Sequence, residues 1–199
     1  MSRKNDRSKV RTHRKRTPRQ RTGDYRIFIG AFPQGELAAA LQSLREKYDP
    51  RTAVITPPHV TLAGTFWRTG PATPENEAVL ISRLQNLPKH VPPFGLVLGG
   101  IRTFGRRVVY LGVESTEAVT AVRQQILHRT GKDKHRLYTP HLTLAMRLKP
   151  EAVRRMVAEL KESEWHDGRF PTPITELRLM QRGPDDPAWH AIATFPLER

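Results

Sequence analysis

From Tyr25 onward the chain breaks into short runs whose apolar residues recur either at every second position or at every third and fourth. YRIFIGAFP reads as a strand closed by Pro33. GELAAALQSLREKY then places Leu37, Leu41, Leu44 and Tyr48 on one helical stripe, and Pro50 ends that helix. Ala53 to Ile55 lead into HVTL, which alternates polar and apolar residues as a half-buried strand does. Thr73 as N-cap and Pro74 at the first helical position announce a second helix, which turns Leu80, Ile81, Leu84 and Leu87 inward and stops near Pro88. FGLVLGGIRTFGRRVVYLGVE reads as two strands joined at Phe104 to Arg107, with Gly105 as the turn residue. Ser115 or Thr116 caps a third helix with Val119, Val122 and Ile126 on its inner face, and Gly131 suits its stop. A second alternating stretch, HLTL, follows, and Pro150 opens a fourth helix carrying Val153, Met156, Val157 and Leu160 on one stripe. The last two strands are ITELRLMQ from Ile174 and WHAIATFPL from Trp189, separated by the turn-like RGPDDP. The order is strand, helix, strand, helix, strands, twice over in outline, so the chain is expected to be α+β with internal pseudo-symmetry.

The two alternating stretches are near copies. PPHVTLAGTF begins at Pro57 and TPHLTLAMRL at Thr139, each setting a proline before a histidine, then an aliphatic residue, a threonine and a leucine. Residues i and i+2 of a strand share a face. His59 and Thr61 therefore lie on one face with Val60 and Leu62 on the other, and His141 and Thr143 are set likewise against Leu142 and Leu144. Pro58 and Pro140 disfavour helix for the residues before them and support an extended entry.

If the two halves meet, two imidazoles and two hydroxyls converge, a set suited to phosphate chemistry. A neutral histidine takes a proton from an attacking water or hydroxyl, and a protonated one supplies a proton to the leaving oxygen. Threonine hydroxyls donate to phosphoryl oxygens as charge builds there. A single histidine and threonine in a strand is commonly core patterning; two copies in equivalent places are hard to explain that way. Paired histidines also suit zinc, but no HxxxH spacing or nearby carboxylate cluster supplies a third ligand, and no cofactor is expected.

Composition adds an uneven charge. The 199 residues carry a formal net charge of +15, of which residues 1–22 hold ten basic side chains against Asp6 alone. That segment has too few apolar residues to offset the entropy of ordering, so it reads as a disordered basic arm ahead of one domain spanning 23–199. It can attract a nucleic-acid backbone or act only as a solubilising tail. There is no cysteine, which excludes disulfides and thiolate metal sites. No run approaches the roughly 18 apolar residues of a membrane span, and no secretory signal precedes the domain; cytoplasmic residence, no membrane partner and a monomer are the expectations.

On these motifs the sequence resembles the 2H phosphoesterase superfamily, which includes the bacterial RNA 2′,3′-cyclic phosphodiesterases, also called 2′-5′ RNA ligases. The resemblance covers about residues 25–197 and extends to FGLVLGGIRTFGRRVVYLGVE between the motifs. YDPRTAVITPPHVTL is similar to a bacterial subgroup of largely unassigned substrate. The resemblance implies two pseudo-symmetric lobes, each an antiparallel sheet with helices, facing a central cleft. It implies His59 and His141 as the catalytic acid and base, Thr61 and Thr143 as phosphate holders, and an RNA or nucleotide with a cyclic phosphate as substrate, opened to a 2′-phosphate. Which histidine is the base is not readable from near-identical motifs. Arg147 occupies a position where a basic residue is common in that family and is a candidate for reaching the phosphate. Phe66 and Tyr138 flank the motifs and are candidates to stack on a base, with packing as the plain alternative. Arg106 and Arg107 read as an exposed turn, and His90, His128, His135, His166 and His190 as surface or ordinary core histidines. Another phosphoesterase reaction in the same site, on a small cyclic nucleotide derivative or removing nucleotides from an RNA 3′ end, stays open at this level, as does RNA binding by the arm alone.

Overall fold

The computed structural model describes residues 24–133 and 137–198. The basic segment and His135 lie outside them. The elements in chain order are β1 (Tyr25–Ala31), α1 (Gly35–Tyr48), α2 (Pro50–Ala53), β2 (Val60–Arg68), α3 (Ala78–Gln85), β3 (Phe94–Phe104), β4 (Val108–Val113), α4 (Thr116–Thr130), β5 (His141–Met146), α5 (Pro150–Lys161), β6 (Arg169–Ile174), β7 (Glu176–Arg182) and β8 (His190–Pro196).

The strands form one eight-stranded sheet in the order β6-β3-β4-β5-β2-β1-β7-β8, and each pairing is antiparallel. The two expected lobes are its halves. Reading outward from the centre, β5-β4-β3-β6 mirrors β2-β1-β7-β8. The halves join through a single bridge, Val60 opposite Leu142. Both residues are fully buried, as are Leu62 and Leu144 two positions on, so the aliphatic half of each motif anchors its strand in the core. Burying a side chain of this size contributes roughly 1.5–3 kcal/mol.

The helices cross between the halves: α1 packs on β5 and α4 on β2. Their inner faces follow the stripes seen in the sequence, with Leu41 of α1 and Val119, Val122 and Ile126 of α4 in the common core. Two buried polar groups reinforce the crossing. Asp49, between α1 and α2, accepts from the Thr52 amide of its own turn and from the Met146 amide at the end of β5. Arg123 of α4 donates to the Leu62 carbonyl on β2 at 2.6 Å and pairs with Asp133 at 2.7 Å.

Several boundaries differ from the expectations, for identifiable reasons. Pro50 does end α1, yet it also starts α2, because a proline at the first position leaves no unmet donor and Asp49 caps the turn. The helix expected from Pro74 begins as a 3-10 turn at Glu75–Glu77 and becomes α-helical at Ala78. Buried Glu77 accepts from the Tyr25 hydroxyl and pairs with Arg68 there, which ties that turn to β1 and β2. β6 is not among the expected strands. Its Pro171 and Pro173 argue against a strand, but β6 pairs only with β3 and lies at the sheet edge, where proline is tolerated.

The crossing contacts predict a stability effect. In the Arg123–Asp133 pair the side chains are only 7% and 1% exposed, so Arg123→Ala removes one partner of a buried ion pair. Denaturant unfolding is expected to show a loss of about 3–5 kcal/mol. Glu151→Ala, which breaks the exposed pair with Arg154, is expected to change little in the same assay.

Candidate active site

The single bridge fixes the arrangement of the motif residues. In an antiparallel pair centred on Val60 and Leu142, the register carries His59 opposite Thr143 and Thr61 opposite His141. Directly opposed residues in such a ladder have Cα atoms about 4.5–5.5 Å apart and side chains on one face. The burial pattern agrees: His59, Thr61, His141 and Thr143 are each part-exposed while the residues between them are buried. The structure thus brings all four side chains together on the face of the sheet opposite the core.

The histidines are held alike. Nδ1 of His59 lies 2.8 Å from the Pro57 carbonyl, and Nδ1 of His141 lies 2.7 Å from the Thr139 carbonyl. A carbonyl only accepts, so in each ring Nδ1–H is the donor and Nε2 is the atom that can exchange a proton. The proline of each motif supports this hold by keeping the preceding residue extended, so that its carbonyl returns towards the ring.

The rings differ in their surroundings. His59 stacks on Phe28 at 4.7 Å and on Phe32 at 5.4 Å. Burial pushes its pKa down to about 4, with the positive charges of Arg45 and His141 acting in the same sense against the Pro57 hydrogen bond. Arg45 itself is 2% exposed and donates to the Thr56 carbonyl at 2.6 Å, holding the turn that leads into the motif. His141 instead meets Phe104 and Tyr110 edge-on at 4.8 and 5.1 Å.

The remaining sequence candidates fall elsewhere. Phe66 is 8% exposed and belongs to the core, so packing, not stacking on a ligand, is its role. Tyr138 sits beneath the site. Its hydroxyl donates to the Thr61 carbonyl at 2.9 Å and its ring lies 4.2 Å from the Arg123 guanidinium. Burial raises its pKa, which keeps that hydroxyl a donor. Arg147 follows the end of β5 with φ 59, exposed. It lies four residues beyond Thr143 along the chain, roughly 13 Å, and it makes no hydrogen bond or ion pair among the described residues.

Two residues that sequence reasoning passes over stand closer. Arg102 on β3 pairs with Tyr110, and Tyr110 with Thr143. Arg178 on β7 pairs with Gly30, and Gly30 with Thr61. The two arginines therefore occupy equivalent places in the two halves, on the face that carries the histidines. Arg178 is neutralised by Glu176 at 2.6 Å. Arg102 makes no ion pair among the described residues. Its guanidinium lies over Gly112, where a Cβ would come within 3.2 Å of it, and Gly112 is the residue paired with His141. Glycine there leaves room for the guanidinium over the strand position paired with His141. Next to it Phe104, 39% exposed, stacks on Tyr110 at 4.1 Å. No motif marks these residues, because the register that unites them joins distant parts of the chain. Among the described residues no three histidine, aspartate or glutamate side chains are grouped as metal ligands would be.

The depressed His59 pKa has a measurable consequence. NMR titration is expected to place its midpoint near 4, well below the usual imidazole value near 6.5. The unfolded chain then binds the proton more readily than the native one, so this group makes stability rise with pH across the window from about 4 to 6.5. A midpoint at about 6 or above would contradict the buried setting.

Comparison with known proteins converges on one family. The family profile described as the 2′-5′ RNA ligase superfamily matches residues 33–186. A Bacillus cytotoxicus protein provisionally named a phosphoesterase is 26% identical over 176 residues, covering 86% of this chain and 96% of that protein. A Bacillus licheniformis protein of the same provisional name is 28% identical over 172 residues, covering 85% and 96%. Among solved structures, Escherichia coli LigT complexed with 3′-AMP superposes with a TM-score of 0.56 at 19% identity, covering 87% of this chain and 98% of that one. TT0787 of Thermus thermophilus gives 0.53 at 20% identity, covering 86% and 97%. The profile spans most of the chain, the fold is theirs, and the protein belongs to the 2′-5′ RNA ligase superfamily of 2H phosphoesterases.

Proposed function

We propose that the protein is a metal-independent phosphoesterase that opens the 2′,3′-cyclic phosphate at an RNA end to a 2′-phosphate, with His59, Thr61, His141 and Thr143 as its catalytic set. The observation that carries this reading is the shared face about the Val60–Leu142 bridge, where each imidazole has Nδ1 tied to a carbonyl, which makes Nε2 the atom for proton transfer.

The difference between the rings assigns their roles. With a pKa near 4, His59 is neutral at physiological pH and acts as the base. Its Nε2 takes a proton from a water whose oxygen bonds to phosphorus. As the P–O3′ bond breaks, the leaving 3′ oxygen takes a proton from Nε2 of protonated His141. One proton is taken up and one released, and the pair is reset through solvent. The product carries its phosphate on the 2′ oxygen and a free 3′ hydroxyl. With a 5′-hydroxyl as nucleophile in place of water, the same steps in the same direction form a 2′-5′ linkage.

Charge on the phosphoryl oxygens grows along this path. Thr61 and Thr143 have hydroxyls with no partner among the described residues and are placed to donate to those oxygens. Arg102 supplies a positive charge with no ion-pair partner among the described residues, and Phe104 offers an exposed ring face to the terminal base. Arg147 serves the phosphate less well from the strand end.

The test is incubation of purified protein, in excess EDTA, with a short RNA ending in a 2′,3′-cyclic phosphate, reading the position of the product phosphate. Conversion to the 2′-phosphate is expected. His59→Ala and His141→Ala are each expected to lower kcat by about 10²–10⁴-fold, and full activity in either variant would overturn the assignment. Arg102→Ala is expected to lower kcat/KM by more than Arg178→Ala, since Arg178 is already neutralised by Glu176.

A further inference from the structure

The ring contacts around His59 do not stop at Phe28. Phe28 meets Trp189 at 4.8 Å, the Arg26 guanidinium lies 5.2 Å from the Trp189 ring, and the same guanidinium lies 5.4 Å from Trp67. Trp67, Arg26 and Arg182 are paired across β2, β1 and β7, so they form a row on the face that carries His59 and Thr61. Along β1 the row lies four residues from Gly30, the partner of Thr61, or roughly 13 Å. That distance exceeds what one nucleotide bound at the histidines would cover.

This end of the sheet is shaped as a groove. A cavity of about 380 Å³ is lined by Asp24, Arg26, Trp67, Arg182 and the Gly183–Pro184 turn. Trp67 and Trp189 are both part-exposed. The two rings give this face of the sheet a part-exposed apolar surface. Phe32 and Met180 belong with Phe28 to a small cluster beneath Trp189, so this surface has a firm base. The neighbouring charges are three guanidinium groups, Arg26, Arg182 and Arg178, and three carboxylates, Asp24, Asp186 and Glu176. Arg178 is held by Glu176, and Asp24 and Asp186 accept backbone amides of Gly70 and Gly183. Alternating ring faces and guanidinium groups continuous with a phosphate site are what single-stranded nucleic acid requires, bases on rings and backbone on cations.

Resting on the reaction proposed above, we infer that Trp189, Arg26 and Trp67 form a second subsite that holds bases of the RNA strand upstream of its reacting end. The protein is thereby built for an oligonucleotide end in preference to a mononucleotide. The subsite needs only residues of the sheet.

The test compares two probes on the full chain: a nucleoside 3′-phosphate and a tetraribonucleotide ending in a 3′-phosphate, each titrated by calorimetry with wild-type protein, Trp189→Ala and Arg26→Gln. Arg26→Gln keeps a long polar side chain at a part-exposed strand position and guards against a folding failure in Trp189→Ala. The wild type is expected to bind the tetranucleotide more tightly, and each variant to lose about tenfold of that advantage, the loss of one stacked base. The arm is present throughout, so it cannot account for a difference between variants. Equal affinity for the two probes in the wild type, or an advantage unchanged in both variants, overturns the subsite. Separate turnover assays on cyclic-phosphate forms distinguish the two claims: tetranucleotide preference without turnover supports the subsite and overturns the reaction.

Discussion

The architecture of the site depends on one contact, the bridge between Val60 and Leu142 at the centre of the sheet. Each half places its histidine and threonine two residues apart on a strand, which any strand can do. Only the pairing of β2 with β5 sets one such pair against the other, and an antiparallel register about that point crosses them, histidine beside threonine. A shift of register by one residue on either strand would turn its motif side chains into the core. The register is held because Val60, Leu62, Leu142 and Leu144 are fully buried, and because Asp49 and Arg123 tie each half to the strand of the other. The apolar residues of the motif are therefore as necessary to the chemistry as the polar ones.

Pseudo-symmetry builds the site, and its two halves differ in what surrounds each histidine. Both imidazoles bond a carbonyl two residues back, so the proton-exchanging atom is the same in each. Their neighbours are not the same. His59 lies against Phe28 and Phe32 with Arg45 behind it, a setting that disfavours the imidazolium. His141 has the exposed Phe104 at its side, and Arg102 lies over Gly112, the strand partner of His141. Arg178, the counterpart of Arg102, is held by Glu176. The two equivalent histidines therefore sit in unlike surroundings, His59 among buried aromatic rings and His141 beside an exposed one.

The sequence makes some of this legible and conceals the rest on physical grounds. The motif pair can be read because its information is local: residues i and i+2, a proline before and a leucine after. The helices can be read for the same reason, as stripes such as Val119, Val122 and Ile126. β6 is hidden by Pro171 and Pro173, whose cost at a sheet edge is small. Arg102 is hidden because its relation to Thr143 runs through Tyr110 on an intervening strand, and register is not a local property. Phe66 and Tyr138 are candidates on the sequence because they lie near the motifs, yet one is core and the other holds the Thr61 carbonyl from beneath. Nearness along the chain locates the site and misjudges its walls.

The central claim is that the two motifs are halves of a single phosphate site. It is tested most directly by titrating the protein with a uridine–vanadate complex, a pentacoordinate mimic of the species formed as a cyclic phosphate opens. The account predicts one bound complex per chain, with affinity lost on replacing either His59 or His141. Two complexes per chain, or binding that survives the loss of either histidine, would contradict it.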